Sequence, residues 1–241
     1  HEIRTGTRVT GVAEEDGAVV VATEADYVTA RVLVNCAGLH SDRVANLSPG
    51  GRTDIRIMPF RGEYYSLVPG RRHLVNNLIY PVPDSRFPFL GVHFTRMAKG
   101  GVEAGPNAVP ALAREGYRWG DIDRHDLREI LTARSSRILA RNYWRTGLGE
   151  IHRSLSKAAF VRALQALVPE VRSEDLIRTG AGVRAQAIGP DGALLDDFAF
   201  SETARQIRDA FRAQLGEWAQ SAPAETAAES EGAKKLQEAK P

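Results

Sequence analysis

From Ile3 to Val34 apolar and polar residues alternate at short period, TGTRVTGV and then GAVVVAT with Gly17 between them, a pattern that predicts a β-meander. The last run, Arg31 to Asn35, is apolar enough to predict a buried strand. It ends in Ala37 and Gly38, after which a helix is expected to open near Ser41. Between Ile57 and Ala108 the β-prone runs Glu63 to Val68, Leu74 to Tyr80, Leu90 to Thr95 and Gly101 to Gly105 are punctuated by Pro and Gly, which predicts antiparallel sheet. The period then lengthens. From Asp121 to Trp144 one helix is expected, with Leu127, Ile130, Leu131, Ile138 and Leu139 on one face and Arg124, Arg128, Arg134, Arg137 and Arg141 on a solvated one. A second helix is expected from Ser156 to Val168, capped by Ser154 or Ser156 and stopped by Pro169, with one more turn from Ser173. The segment around Val183 to Ala187 returns to β structure and is expected to complete the central sheet, with the helices on one of its faces. The fold class is α+β, with a mixed, largely antiparallel sheet. From Ser201, Ile207, Phe211, Leu215 and Trp218 recur at helical spacing, and the Ala-, Glu- and Lys-rich remainder is expected to be disordered.

Composition narrows the classes of function. The 241 residues are 43% hydrophobic, enough for a substantial core. Lys plus Arg (32) and Asp plus Glu (30) leave a net charge of +2, so no overall charge argues for a nucleic-acid partner. Cys36 is the only cysteine, which excludes an internal disulfide or a cysteine-based metal cluster and fits a reducing, cytoplasmic compartment. Its place at the end of an apolar strand argues for an inert thiol. Apolar runs of about 18 residues and a signal-peptide pattern are lacking.

The candidate chemistry lies in the central sheet, whose runs carry Arg61, Tyr64, Tyr80, His93 and Arg96 among apolar neighbours. Such groups recognise a small anion when they face one pocket, and are ordinary solvent-side residues when they do not. The six histidines are not paired at metal-binding spacing, so no metal site is assigned. Phosphate-loop and G-x-S-x-G motifs are absent. The strand, Ala37-Gly38 turn and helix opening form the kind of place where an α/β sheet holds a cofactor, although structural β-α turns use the same residues. Gly180, Gly182 and Ala185 match G-x-G-x-x-A, but Gly189, Pro190 and Gly192 would break the helix that a dinucleotide fingerprint must open, so that reading is rejected.

The runs PFRGEY, NNLIYPVPDSRFPFLGVHFTR, GPNAV, AREGYR and AGVRAQAIGPDGALLDDF, in that order, resemble the L-2-hydroxyglutarate oxidase/dehydrogenase family of flavoproteins, in the D-amino-acid-oxidase-like superfamily. The resemblance covers roughly residues 1–200. It implies a partial FAD-dependent oxidoreductase fold, with residues 1–50 from the FAD domain, 51–178 forming the substrate domain, 179–200 returning to the interface of the two, and 201–241 a helix and tail. FAD is the implied cofactor, with Val9, Ala37 and Gly38 against it. The implied partner is a 2-hydroxy dicarboxylate, oxidised at its C2 alcohol to a 2-oxo acid. Arg184, in the A-G-x-R motif, is the expected holder of one carboxylate and Arg61 of the other, since guanidinium forks bind carboxylates bidentately. His93 is the candidate base, because imidazole titrates near neutral pH; a core histidine bonded to a backbone carbonyl is the alternative. Tyr80 is expected to bond substrate or flavin, or simply to pack. The resemblance leaves open the oligomeric state, a peripheral membrane position, and whether oxygen or a membrane quinone accepts the electrons.

Two departures shape the expectation for this chain. It begins at HEIRTGTRV without the N-terminal G-x-G-x-x-G unit, and after Ser201 it lacks the Asn-Ala-Pro-Ser-Pro-Ala turn of the family. It is therefore expected to be a fragment that is inactive by itself. The alternatives are a non-catalytic remnant of the substrate domain, or another FAD-dependent oxidoreductase of the same superfamily.

Overall fold

The computed structural model describes residues 2–48, 54–82 and 91–195. They fall into two compact units, residues 2–35 with 44–48 in one and 36–43 with the described part of 54–195 in the other. The helix and tail expected after Ser201, and residues 83–90 of the PVPDSRFPFLG run, lie outside the described residues.

The first unit holds the expected meander: β1 (Val9–Glu15), β2 (Ala18–Thr23) and β3 (Tyr27–Ala30), antiparallel in that order. Asp16 and Gly17 both take positive φ, 49° and 79°, the backbone of a two-residue hairpin turn whose twist matches its strands. The strand expected over Arg31–Asn35 does not form, and Val34 is 67% exposed. An apolar run becomes a strand only when other strands pair with it, and none does among the described residues. Cys36 is exposed, so it does not occupy the buried position expected of it.

In the second unit a 3-10 turn, Gly38–His40, leads into the first residues of α1 (Ser41–Leu47), where the sequence places a helix start; residues 44–47 of that helix belong to the first unit. The sheet is built on β4 (Arg56–Leu67), the longest central strand. It pairs on one edge with β8 (Leu176–Ile188) over its whole length, and on the other with β6 (Val102–Gly105) and β7 (Val109–Pro110); β5 (His93–Arg96) adds beyond β6. Every pairing is antiparallel. Leu74–Tyr80 is not a strand. Pro69–Leu74 forms a 3-10 turn, and Arg96 Nη1 then donates to the carbonyls of Arg72 (3.4 Å) and Val75 (3.0 Å), taking acceptors that a ladder would need. Only the bridge between Ile79 and Phe94 remains of it.

Helices α2 (Arg124–Thr132), α3 (Arg134–Leu155) and α4 (Lys157–Gln165) follow. The single helix expected over Asp121–Trp144 is thus two helices, parted by an extended Ala133, with a kink at Tyr143 inside the second. α2 is tied by its acids to two arginines, described below, and its Ile130 packs with Leu139 of α3 on a small core of Met58, Phe60 and Ile188. The five helix arginines Arg124, Arg128, Arg134, Arg137 and Arg141 are exposed, as their spacing predicts. Asp123 caps α2 by accepting from the backbone of His125 and Asp126, and Ser156 caps α4 by accepting from Ala159.

One face of the sheet carries the main core. Tyr65, Leu67, Phe94, Val102, Ala104 and Leu176 pack against Phe160, Val161 and Leu164 of α4, with the Tyr65 and Phe160 rings 4.7 Å apart. Leu164 has no exposed surface, so Leu164→Ala should lower stability by about 2–5 kcal/mol in urea unfolding, while Leu131→Ala, at a position 63% exposed, should change it by less than about 0.5 kcal/mol.

A buried charge network joins α1 to α2. Arg114 grips Asp42 with both guanidinium nitrogens, at 2.5 and 2.9 Å, donates to the Leu39 carbonyl, and reaches Glu129 at 3.2 Å. Arg43 donates to Asp126 and Glu129, and Asp126 also accepts from the Arg114 backbone. Burial pushes the three carboxyls up, but the hydrogen bonds and charges of the two arginines, joined at Asp42 by the backbone N–H of Ile57, outweigh it and hold all three below their ordinary values. Folded pKa values below the unfolded ones give stability that is complete above about pH 5 and is lost as the pH falls through the folded values. Unfolding free energy measured from pH 7 to 3 should therefore drop steeply at the acid end. Arg114→Met should be less stable at pH 7 and show a flatter acid limb.

Candidate functional site

Strand register decides which side chains can meet. Directly opposed residues of an antiparallel pair share a face, and successive residues alternate. Phe60 opposes Arg184, Gly62 opposes Gly182 and Tyr64 opposes Gly180. Arg184 therefore leaves the sheet on the side of Tyr64 and away from Arg61, whose partner is Val183. Phe94 and Ala104 lie in the core with Tyr65, so their neighbour His93 points to the other side, the side of Tyr64 and Arg184. Thr95 and Glu103 follow it.

Tyr64, His93, Thr95, Glu103 and Arg184 thus share the face that α4 leaves uncovered, with Tyr80 against His93. His93 is half-buried and its ring stacks on Tyr80, with centroids 4.3 Å apart and planes 18° apart. Tyr80 is 42% exposed, and its hydroxyl is 3.5 Å from Thr95 Oγ1. His93 Nδ1 is 3.1 Å from the Gly91 carbonyl, an arrangement that places the ring proton on Nδ1 and leaves the Nε2 lone pair facing outward. So the backbone-bonded histidine and the candidate base are one and the same residue. Burial lowers the His93 pKa; the Gly91 carbonyl opposes that shift and the positive charge of Arg184 adds to it. Arg184 stands exposed on β8. The ring of Tyr64, half-buried, lies against Gly182, and burial raises its hydroxyl pKa while Arg184 lowers it.

Arg61 is not on this face. It is 3% exposed, with Nη2 3.2 Å from Glu63, Nη1 3.4 Å from the Tyr117 carbonyl and its guanidinium 4.6 Å over the Trp119 ring. Glu63, 1% exposed, also accepts from Arg178 at 2.9 Å and from Ser154 of α3 at 2.6 Å. This cluster braces the covered side of the sheet. A signal for it was present in the sequence, since Arg61 and Glu63 are two apart on a strand and must share a face. Arg96 is also on the covered side, holding the turn before Ile79.

The residues expected against a flavin belong to both units. Val9 begins β1 in the first unit, half-buried and opposite Thr23. Ala37 and Gly38, in the second, are exposed, and Gly38 has a φ of +53° with nothing among the described residues within 4 Å of where a Cβ would stand. Bare backbone of that kind can be approached closely by a flat ligand. Arg114 fixes the position of this turn through the Leu39 carbonyl. Groups of three or more metal-ligating side chains are lacking among the described residues, and no described helix is long and apolar enough to cross a membrane.

Comparison with known proteins adds to this geometry. An L-2-hydroxyglutarate dehydrogenase of Indibacter alkaliphilus is 50% identical over 202 residues, which are 84% of this chain and 51% of that protein. A mitochondrial L-2-hydroxyglutarate dehydrogenase of Nematostella vectensis is 48% identical over 181 residues, 75% of this chain and 40% of that protein. The chain thus spans about half the length, or less, of the curated relatives it matches. Among solved structures, an FAD-bound L-α-glycerophosphate oxidase of Mycoplasma pneumoniae superposes with a TM-score of 0.49 at 18% identity, covering 74% of this chain and 38% of that one. The family profile for DAO, FAD dependent oxidoreductase, matches residues 1–213, and the chain belongs to that family.

Proposed function

We propose that the protein to which this chain belongs oxidises L-2-hydroxyglutarate to 2-oxoglutarate with FAD, and that the uncovered face of the sheet is its substrate side. The observation that carries this reading is that His93 and Arg184, distant in sequence, are turned by register to one face. The relatives named L-2-hydroxyglutarate dehydrogenase support the choice of substrate.

Bound FAD would supply the two-electron acceptor for the C2–H bond. In the second unit, Ala37 and Gly38 are the residues proposed to lie against it. Arg184 binds a substrate carboxylate through its planar fork and so orients the C2 alcohol. His93 takes the hydroxyl proton at Nε2, which has no partner among the described residues, while Nδ1–H stays on the Gly91 carbonyl. A depressed pKa keeps the imidazole neutral, as a base must be. Tyr80 acts through His93 by stacking on it and holding the ring plane. The second carboxylate finds no Arg61 on this face, because that guanidinium is committed to Glu63.

Steady-state oxidation of L-2-hydroxyglutarate by the flavin-loaded enzyme tests the reading. Arg184→Lys keeps the charge and loses the fork, removing a contact of roughly 1.5–3 kcal/mol, so kcat/KM should fall about 10- to 150-fold. Arg137→Lys, on the exposed face of α3, should leave it unchanged at equal flavin content. Equal activity of the two variants would remove Arg184 from the site. Independently, an NMR titration of the His93 ring should give a midpoint below the ordinary histidine value of about 6.5, and Arg184→Gln should raise that midpoint without restoring it fully, burial being the larger cause.

A further inference from the structure

Tyr64 is the aromatic residue of the uncovered face to which the proposed chemistry gives no task. Its ring is seated in an unusual way. A Cβ built on Gly182 would stand 3.1 Å from Tyr64 Cε2, 3.9 Å from Cζ and 3.8 Å from the hydroxyl oxygen. A side chain there would push the ring aside by a few tenths of an ångström. Because Gly182 is free of one, the ring leans diagonally from its own pairing position, opposite Gly180, across Gly182 toward Arg184, the next residue of β8 on that face. The ring is half-buried, yet its hydroxyl has no hydrogen-bond partner among the described residues. The hydroxyl is therefore open to solvent on this face, a donor that a ligand can take up.

We propose that Tyr64 is a substrate-contacting residue, its O–H donating to the carboxylate that Arg184 binds, and that Gly182 is the positioning residue that seats it. The inference rests on the functional reading above and adds a residue to it. It explains why a small residue stands two places before Arg184 in the A-G-x-R segment: the glycine serves its cross-strand neighbour and not a dinucleotide. Tyr64 contributes a neutral donor beside a cationic fork. The fork supplies the charge, and the hydroxyl, held by a two-torsion ring, selects the angle at which a carboxylate enters.

The test uses the flavin-loaded enzyme with two readouts, steady-state oxidation of L-2-hydroxyglutarate and calorimetric binding of 2-oxoglutarate. Tyr64→Phe keeps the ring and deletes one hydrogen bond to a charged group, so KM and the 2-oxoglutarate Kd should both rise by about 10-fold or more, with flavin content unchanged. Gly182→Ala should raise them in the same direction while melting at the wild-type temperature or above, since alanine suits a strand interior better than glycine. In a Tyr64→Ala background nothing sits on residue 182, so adding Gly182→Ala should cost nothing further. Additive effects in that cycle would return Gly182 to a purely backbone role. If the wild type binds and oxidises L-2-hydroxyglutarate and Arg184→Lys impairs it, but Tyr64→Phe leaves KM and Kd unchanged, the Tyr64 proposal falls and the functional reading stands. A wild type that neither binds 2-oxoglutarate nor oxidises L-2-hydroxyglutarate overturns both.

Discussion

The pairing of β4 with β8 is the constraint from which the rest of the second unit follows. Twelve β4 residues find partners along β8, and the alternation of side chains about that ladder, with one register shift between Tyr64 and Tyr65, sorts the polar residues of two distant segments into two sets. Arg61, Glu63, Tyr65 and Arg178 go one way, into ion pairs and the core beneath α4. Tyr64, Gly182 and Arg184 go the other. A slip of one residue would exchange them, placing Arg184 in the core and Leu67 in water. The register is therefore over-determined by burial, of Tyr65, Leu67 and Leu176 on one side and of Met58, Phe60 and Ile188 at one end of the other, and the polar residues around Arg184 inherit that geometry.

A second constraint acts at the edge of the sheet. α3 begins against Met58 and Phe60, passes the end of β7, where Glu150 accepts from the Ala108 backbone and its carbonyl accepts from Asn107, and finishes with Ser154 bonded to Glu63. Since Phe60 and Glu63 leave β4 on opposite sides, this helix wraps the edge and clamps both faces, with its kink at Tyr143. Arg114 does for the Gly38–His40 turn what α3 does for the sheet edge. Its guanidinium, bidentate on Asp42, ties the exposed backbone near Gly38 to a loop more than seventy positions away.

Much of this was legible in the residues. The meander, the Pro- and Gly-punctuated sheet, the α4 cap at Ser156 and the arginine face of the helices follow from period and punctuation, because they depend on neighbours within a few positions. Arg184 and His93 could be named as candidates, but only as members of a list. Sorting the list needs the register between Phe60 and Arg184, and no local pattern carries that. Arg61 shows the cost: its type fits a carboxylate site, and its partner two residues on, Glu63, is what assigns it elsewhere. The Asp42–Arg114 network was invisible because both residues read as ordinary charges until the fold removes water from around them. The missing strand at Arg31–Asn35 fails for the complementary reason, that an apolar run specifies burial but cannot specify what pairs with it.

The span between β4 and β8 has a consequence in time. Leu67 finds Leu176, and Arg56 finds Ile188, only after the β5–β7 segment and three helices have been made, so closing this pair spends the chain entropy of a long loop before it gains a single rung. β4 can meet β6 and β7 early, yet it must wait with one edge open and its buried pair Arg61 and Glu63 short of Arg178. The geometry of the uncovered face thus depends on the longest-range pairing in this unit. Any condition that slows closure leaves an exposed strand edge, open to pairing with another chain, alongside a protein that already has most of its helices.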